Sequence, residues 1–166
     1  MVRLVPTYIT ETVCDINLED LKNQGIEGLL FDLDNTVMAP KTGIISEEVQ
    51  NWLDEARNHF KIAILSNNKE MNYLKQAEGV LKCPVYGNAQ KPRRAAALRA
   101  LRDLNLEAGK TVIVGDRPLT DILVGQRLGF TTILVDPIMK KHEITVVKFL
   151  RWLERLTVKQ PLKTFN

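Results

Sequence analysis

Apolar residues come along this chain in short blocks, each closed by polar or turn-forming residues. Leu29, Leu30, Phe31 and Leu33 form the first. A continuous apolar run of this length, ended by a turn, predicts a strand buried on both faces over 28–33. "KIAILSNN" (Lys61 to Asn68), "KTVIVGD" (Lys110 to Asp116) and "TTILVD" (Thr131 to Asp136) repeat the form, and Cys83 to Tyr86 reads as a short strand or a half-extended loop. Between these blocks the period changes. Behind Ser46, a good N-cap, Val49, Trp52, Leu53 and Ala56 fall on one helical face. Further helices are predicted over 69–78, over 91–106 with Pro92 at the first helical position, and over 120–129, closed by Gly129. Strands alternating with helices predict an α/β chain: a three-layer, Rossmann-like parallel sheet with helices on both faces. The first 25 residues carry the weakest pattern and read as an extension along the sheet edge.

The last segment has a different character. From Glu143 to Val158, Ile144, Val147, Leu150, Leu153 and Leu156 recur at helical spacing, with Phe149 and Trp152 widening the apolar face. Seven basic residues (Lys140, Lys141, Lys148, Arg151, Arg155, Lys159 and Lys163) stand against Glu143 and Glu154 in 138–166, whereas the first thirty residues carry five acids against Arg3 and Lys22. The net charge of +3 hides this asymmetry. A basic C-terminal helix either docks on the core with a solvated outer face or rests on an anionic membrane surface.

A length of 166 residues, with 45% hydrophobic and 26% charged content, predicts a single globular domain over 1–166, with a core at about 26–136 and a tail over 138–166. Cys14 and Cys83 have no metal-ligand spacing, so free thiols in a reducing compartment are expected. No stretch reads as a signal peptide or a membrane span, which makes the expected location cytoplasmic, with any membrane contact peripheral. No P-loop or G-x-G-x-x-G follows a strand, and no aromatic–basic interleaving suggests nucleic acid.

The chemistry gathers at the strand ends, where open parallel sheets bind ligands. The first core strand delivers Asp32 and Asp34 with Thr36 behind them, and the second delivers Ser66 and Asn67. Lys91 precedes a helix, and the third long strand delivers Asp116 and Arg117, then Asp121. Buried carboxylates repel one another unless a cation compensates them. Hard oxygen ligands suit Mg²⁺. A strand-end carboxylate can attack phosphorus, a second one nearby can serve as acid and then base, and Ser66 and Lys91 can donate to phosphoryl oxygens.

In that order these residues resemble the four motifs of the haloacid dehalogenase (HAD) superfamily of phosphohydrolases. Asp32-Leu33-Asp34-Asn35-Thr36 is similar to the first motif, Ser66 to the second, Lys91 to the third, and Gly115-Asp116 with Asp121 to the fourth. The resemblance implies that Asp32 is the nucleophile and Asp34 the general acid/base. Asp32, Asp34 (through its backbone carbonyl), Asp116 and Asp121 would hold Mg²⁺, Asp121 directly or through water. Lys91 would serve catalysis and the phosphate, Thr36 would steady the loop at the phosphate site, and Asn67 and Arg117 are weaker substrate contacts.

Only 29 residues separate Thr36 from Ser66 and 24 separate Lys91 from Asp116, too few for a large cap domain. The expected mouth is open, suited to a substrate whose bulk stays outside or to cover from a second copy of the chain. At closer range "LVPTYITETVCDI", "GIEGLLFDLDNTV", "LSNN" and "VGDRPLTDILVGQRLGFTTILVDPI" resemble the YqeG family of lidless phosphatases and the organellar phosphatidylglycerophosphate phosphatases. That likeness implies hydrolysis of phosphatidylglycerophosphate to phosphatidylglycerol. The alternative is a small soluble metabolite, such as a nucleotide or sugar phosphate, or a phosphoprotein. An inactive binding module would lack the nucleophile or Lys91, and this chain has both.

Overall fold

The computed structural model of the chain describes residues 4–139 and 154–165. Six parallel strands form one sheet: β1 (Tyr8–Thr10), β2 (Gly28–Phe31), β3 (Lys61–Leu65), β4 (Val85–Tyr86), β5 (Thr111–Gly115) and β6 (Thr131–Val135), in the order β1-β6-β5-β2-β3-β4. Five helices connect or precede them: α1 (Leu18–Asn23), α2 (Glu47–Ala56), α3 (Met71–Leu81), α4 (Ala95–Asp103) and α5 (Leu123–Leu128). The chain leaves β2 toward β3 on one side, and β5 occupies the other side. This reversal of winding opens a crevice at the carboxyl end of β2.

Alternation along the central strands separates two apolar layers. Leu29, Phe31, Ile62, Ile64, Val112 and Val114 face Leu21, Trp52, Leu53, Tyr73 and Leu74 of α1, α2 and α3. Leu30, Ala63, Leu65 and Ile113 face the opposite way, toward Ala97, Ala100 and Leu101 of α4 and Val124 of α5. All four residues of β2 are buried, as the apolar run required. The parallel sheet with helices on both faces is therefore the predicted one, and no cap interrupts the loops at the strand ends among the described residues.

Three local outcomes differ from the sequence reading. The opening segment is more than an extension: β1 is an edge strand paired with β6, Tyr8 opposite Ile133. The residues from 91 to 94 are not helical, so Pro92 is not a first helical residue; α4 starts at Ala95, and Lys91–Pro92 is a cis peptide. The physical reason is tertiary: the Lys91 backbone is held by Asn67 rather than by a helix, as described below. The segment before α5 is wider than an α-helix, a single π-type turn over Pro118–Ile122. Most of the basic helix expected over 143–158, with Lys148 and Arg151, lies outside the described residues. Of its basic residues, Arg155 ion-pairs with Asp136 at 2.7 Å. No helix among the described residues is long and apolar enough to cross a membrane.

Candidate active site

Each strand of the crevice delivers its side chain through ordinary ladder bonding. The Asp32 N–H still donates to the Val114 carbonyl at 2.8 Å, so Asp32 stands one residue past β2 with its backbone fixed by β5. Asn35 then turns the chain with φ 70°, the left-handed conformation that asparagine tolerates. Its carbonyl accepts from Ile138 N–H at 3.0 Å and its side-chain oxygen from Met139 N–H at 3.1 Å, tying the loop to the segment after β6.

At the centre lies a buried charge cluster. Carboxylate oxygens of Asp32, Asp116 and Asp121 all come within 4.8 Å of one another. The Lys91 ammonium bridges two of them, 2.6 Å from Asp32 Oδ1 and 2.7 Å from Asp121 Oδ1. Burial opposes the charge on Lys91, but Asp121 and Asp32 outweigh it and hold the ammonium above the ordinary lysine range. One ammonium does not balance three carboxylates. Burial pushes the Asp32 carboxyl up to about 8; Lys91 opposes the rise, and Asp121 and Asp116 add to it. The cluster is short of positive charge, and its all-oxygen donor set suits a hard divalent cation.

The neighbouring groups hold this cluster in place. The second oxygen of Asp121 accepts the Arg117 backbone N–H at 3.1 Å, a contact set up by the wide turn. Gly115 makes room for it: a Cβ there would lie 2.3 Å from Asp121 Cγ. Thr36, expected at the phosphate, donates its hydroxyl to Asp116 Oδ1 at 3.3 Å. Asn67, expected as a substrate contact, lines the cleft and also clamps Lys91: its Oδ1 accepts Lys91 N–H at 2.7 Å and its Nδ2 donates to Lys91 O at 3.2 Å. Ser66 is buried, its hydroxyl accepting Asn68 N–H at 3.1 Å while its own O–H proton stays free to donate. Arg117 lines the mouth but anchors one Nη on buried Glu154 at 2.7 Å.

Two residues escaped the sequence reading. Tyr73 of α3 donates its hydroxyl to Asp34 Oδ1 at 2.7 Å. Burial and Asp34 hold that phenol above the ordinary tyrosine range, so it is the donor. Lys41, also in a left-handed conformation (φ 58°), donates its backbone N–H to the same oxygen at 3.3 Å. In the sequence Tyr73 shows only as an apolar-face position of a helix and Lys41 as a loop residue. Asp32, Asp34, Ser66, Lys91, Lys41 and Arg117 line a cleft of about 420 Å³ open to solvent.

Comparison with known proteins agrees with this arrangement. A family model described as HAD-hydrolase-like matches residues 88–137. A crystal structure of a HAD phosphatase from Thermococcus onnurineus superposes with a TM-score of 0.57 at 15% identity, covering 72% of this chain and 90% of that one, a likeness of fold. The chloroplastic/mitochondrial phosphatidylglycerophosphate phosphatase 1 of Arabidopsis thaliana is 29% identical over 89% of this chain, which spans 45% of that relative's length. The probable phosphatase YqeG of Bacillus subtilis is 33% identical over 91% of this chain and 87% of its own length. A likeness that spans nearly the whole of both chains, with the acids of the four motifs brought to one crevice, places this chain in the YqeG family of HAD-like hydrolases.

Proposed function

We propose that this chain is a Mg²⁺-dependent phosphatase that works through a phosphorylated Asp32 and acts on phosphatidylglycerophosphate. The observation that carries the chemistry is the buried cluster of three carboxylates and one ammonium at the end of β2, opening into the cleft. Asp32, Asp116 and the Asp34 backbone carbonyl would hold the ion, with Asp121 behind them; bound there, Mg²⁺ supplies the charge that lets an anionic nucleophile approach an anionic phosphate.

The residues divide the remaining work. A carboxylate oxygen of Asp32 attacks phosphorus, and the bond from phosphorus to the leaving oxygen breaks. Asp34, carrying a proton, gives it to that oxygen as it leaves. In the second half Asp34, now ionised, takes a proton from water; the water oxygen attacks phosphorus, the bond to Asp32 breaks, and phosphate departs. Ser66 and Lys91 donate to the phosphoryl oxygens as charge shifts between them. Asn67 acts by fixing Lys91, Thr36 by fixing Asp116, and Tyr73 by holding the Asp34 side chain.

Gly115→Ala tests that geometry. Its Cβ would displace Asp121, whose oxygens are held by Lys91 and the Arg117 N–H. Turnover is expected to fall on the order of a hundredfold, the scale of a 1 Å misplacement. Steady-state kinetics on p-nitrophenyl phosphate will measure it, with a melting curve to separate site damage from unfolding. Turnover within twofold of the unaltered protein would remove Asp121 from the mechanism.

The substrate assignment rests on the relatives and on the uncapped cleft, which admits the end of a large molecule. The contact with lipid would be at the membrane surface. The test is phosphate release from phosphatidylglycerophosphate in mixed micelles, beside nucleotide, sugar-phosphate and phosphopeptide panels, with and without a chelator. Faster hydrolysis of the lipid, abolished by chelation, is expected. A soluble phosphate preferred by tenfold would replace the lipid reading, and turnover that survives exhaustive chelation would overturn the metal.

A further inference from the structure

Resting on the lipid reading, we infer that Lys41 recognises a second phosphate of the substrate, the diester that joins the hydrolysed headgroup to the lipid. The cations on the cleft wall differ in their commitments. Lys91 is committed to Asp32, Asp121 and the phosphoryl group that is transferred. Arg117 is tied to Glu154. Lys41 forms no ion pair among the described residues, although Asp34 is its neighbour through the backbone.

Its position is built rather than incidental. The left-handed turn at Lys41 and the hydrogen bond from its N–H to Asp34 fix its backbone beside the acid/base, and its exposed side chain starts from the wall of the cleft. The cleft, at about 420 Å³, exceeds what a phosphoryl group fills and falls in the range of sites that hold larger ligands. With a phosphate bonded to Asp32, the next part of the substrate leaves through a cleft whose wall includes Pro40, Lys41, Asn68, Arg117 and Thr120. In a phospholipid carrying a terminal phosphate, that part is a glycerol followed by an anionic diester. An unpaired ammonium on the exit wall suits it, and attraction between them adds affinity and orientation without touching the reacting phosphorus.

Three substrates separate the possibilities: phosphatidylglycerophosphate in mixed micelles, its deacylated headgroup, which keeps both phosphates, and glycerol 3-phosphate, which has one. Lys41→Glu is expected to raise KM for both two-phosphate substrates by about tenfold, the scale of one lost charge-assisted hydrogen bond. The preference for them over glycerol 3-phosphate should fall by a similar factor, and Lys41→Arg should restore most of it. An equal proportional change on all three substrates, or none, would overturn the inference while leaving the lipid reading intact. A loss confined to micelles would also overturn it, showing that Lys41 meets the lipid surface rather than the diester. If the unaltered protein hydrolyses neither two-phosphate substrate, the lipid reading fails and this inference fails with it.

Discussion

Asp32→Asn is expected to lower phosphate release by at least about a thousandfold, the scale seen when a covalent nucleophile is removed, while the protein stays folded. The amide is a poor nucleophile toward phosphorus, and Asp34, the other carboxylate lining the cleft, is held by the Tyr73 hydroxyl and the Lys41 N–H. Asp116 and Asp121 are buried behind it, engaged by Thr36, Lys91 and the Arg117 N–H. The fold does not depend on the carboxylate, because the Asp32 backbone N–H is bonded to Val114 irrespective of the side chain. An asparagine oxygen can still accept from Lys91, and the site loses a carboxyl whose charged form burial, Asp121 and Asp116 disfavour. The melting temperature should therefore be no lower than that of the unaltered protein. Asp34→Asn should also be severely slowed, yet keep the nucleophile, so a rapid quench can find phosphate on Asp32. Activity in Asp32→Asn within tenfold of the unaltered protein would end the covalent mechanism.

Lys91→Met should be damaging in a different way, to stability as much as to turnover. The side chain is almost wholly buried between Asp32 and Asp121, so methionine leaves three carboxylates within 4.8 Å with no ammonium among them. Removing one partner from a buried ion pair costs about 3–5 kcal/mol, on the order of 10 °C in Tm for a chain of this size. The pH dependence has a definite sign. Even with Lys91 present, the Asp32 carboxyl ionises in the folded protein only near pH 8, against about 3.9 in an unfolded chain. Between those values the folded state holds the extra proton, so this group's contribution to stability declines as pH rises through the window. The deficit of Lys91→Met should be largest above pH 8 and shrink toward pH 4. Added Mg²⁺ should recover part of it by replacing the missing charge. Thermal melts across pH, with and without Mg²⁺, measure both effects. A variant melting with the unaltered protein at pH 8 in chelator would show that Lys91 does not compensate these acids.

The sequence was most legible where burial leaves little choice. Strands β2, β3, β5 and β6 are apolar at nearly every position because helices cover both faces. An acid placed directly after such a strand must emerge at the sheet's carboxyl edge, which is why Asp32 and Asp116 could be assigned to one crevice before any coordinates. Strand β1 was not legible. It has three residues, only Tyr8 of them buried, and its partner lies far along the chain. The start of α4 was misread because a proline after a lysine usually opens a helix, whereas here Asn67, from another strand end, dictates the backbone of Lys91. For the same reason the hydrogen bonds from Thr36 to Asp116 and from Asn67 to Lys91 could not be read. Residue type says that a side chain can hydrogen-bond, and only the fold says whether it meets a substrate or a neighbour. Tyr73 and Lys41 belong to this second kind, reaching Asp34 from a helix and from a turn.

The edge where β1 lies also bears on how the chain is made. Thr7 bonds Thr132 through its backbone N–H, across 125 positions of sequence. The far end closes over the same strand: Leu4 accepts from Lys159 N–H, Pro6 from Leu162 N–H and Thr7 from Lys163 N–H, and Phe165 stacks on Tyr8 with ring centroids 4.0 Å apart. A ribosome releases residues 4–10 before β6 and residues 158–165 exist. Strands β2, β3 and β5 can pair as they emerge, but residues 4–10 must wait for β6 and for residues 158–165. Vectorial synthesis therefore presents β2, β3 and β5 before the partners that seal this edge, and the nascent chain carries an unpaired strand until β6 has emerged.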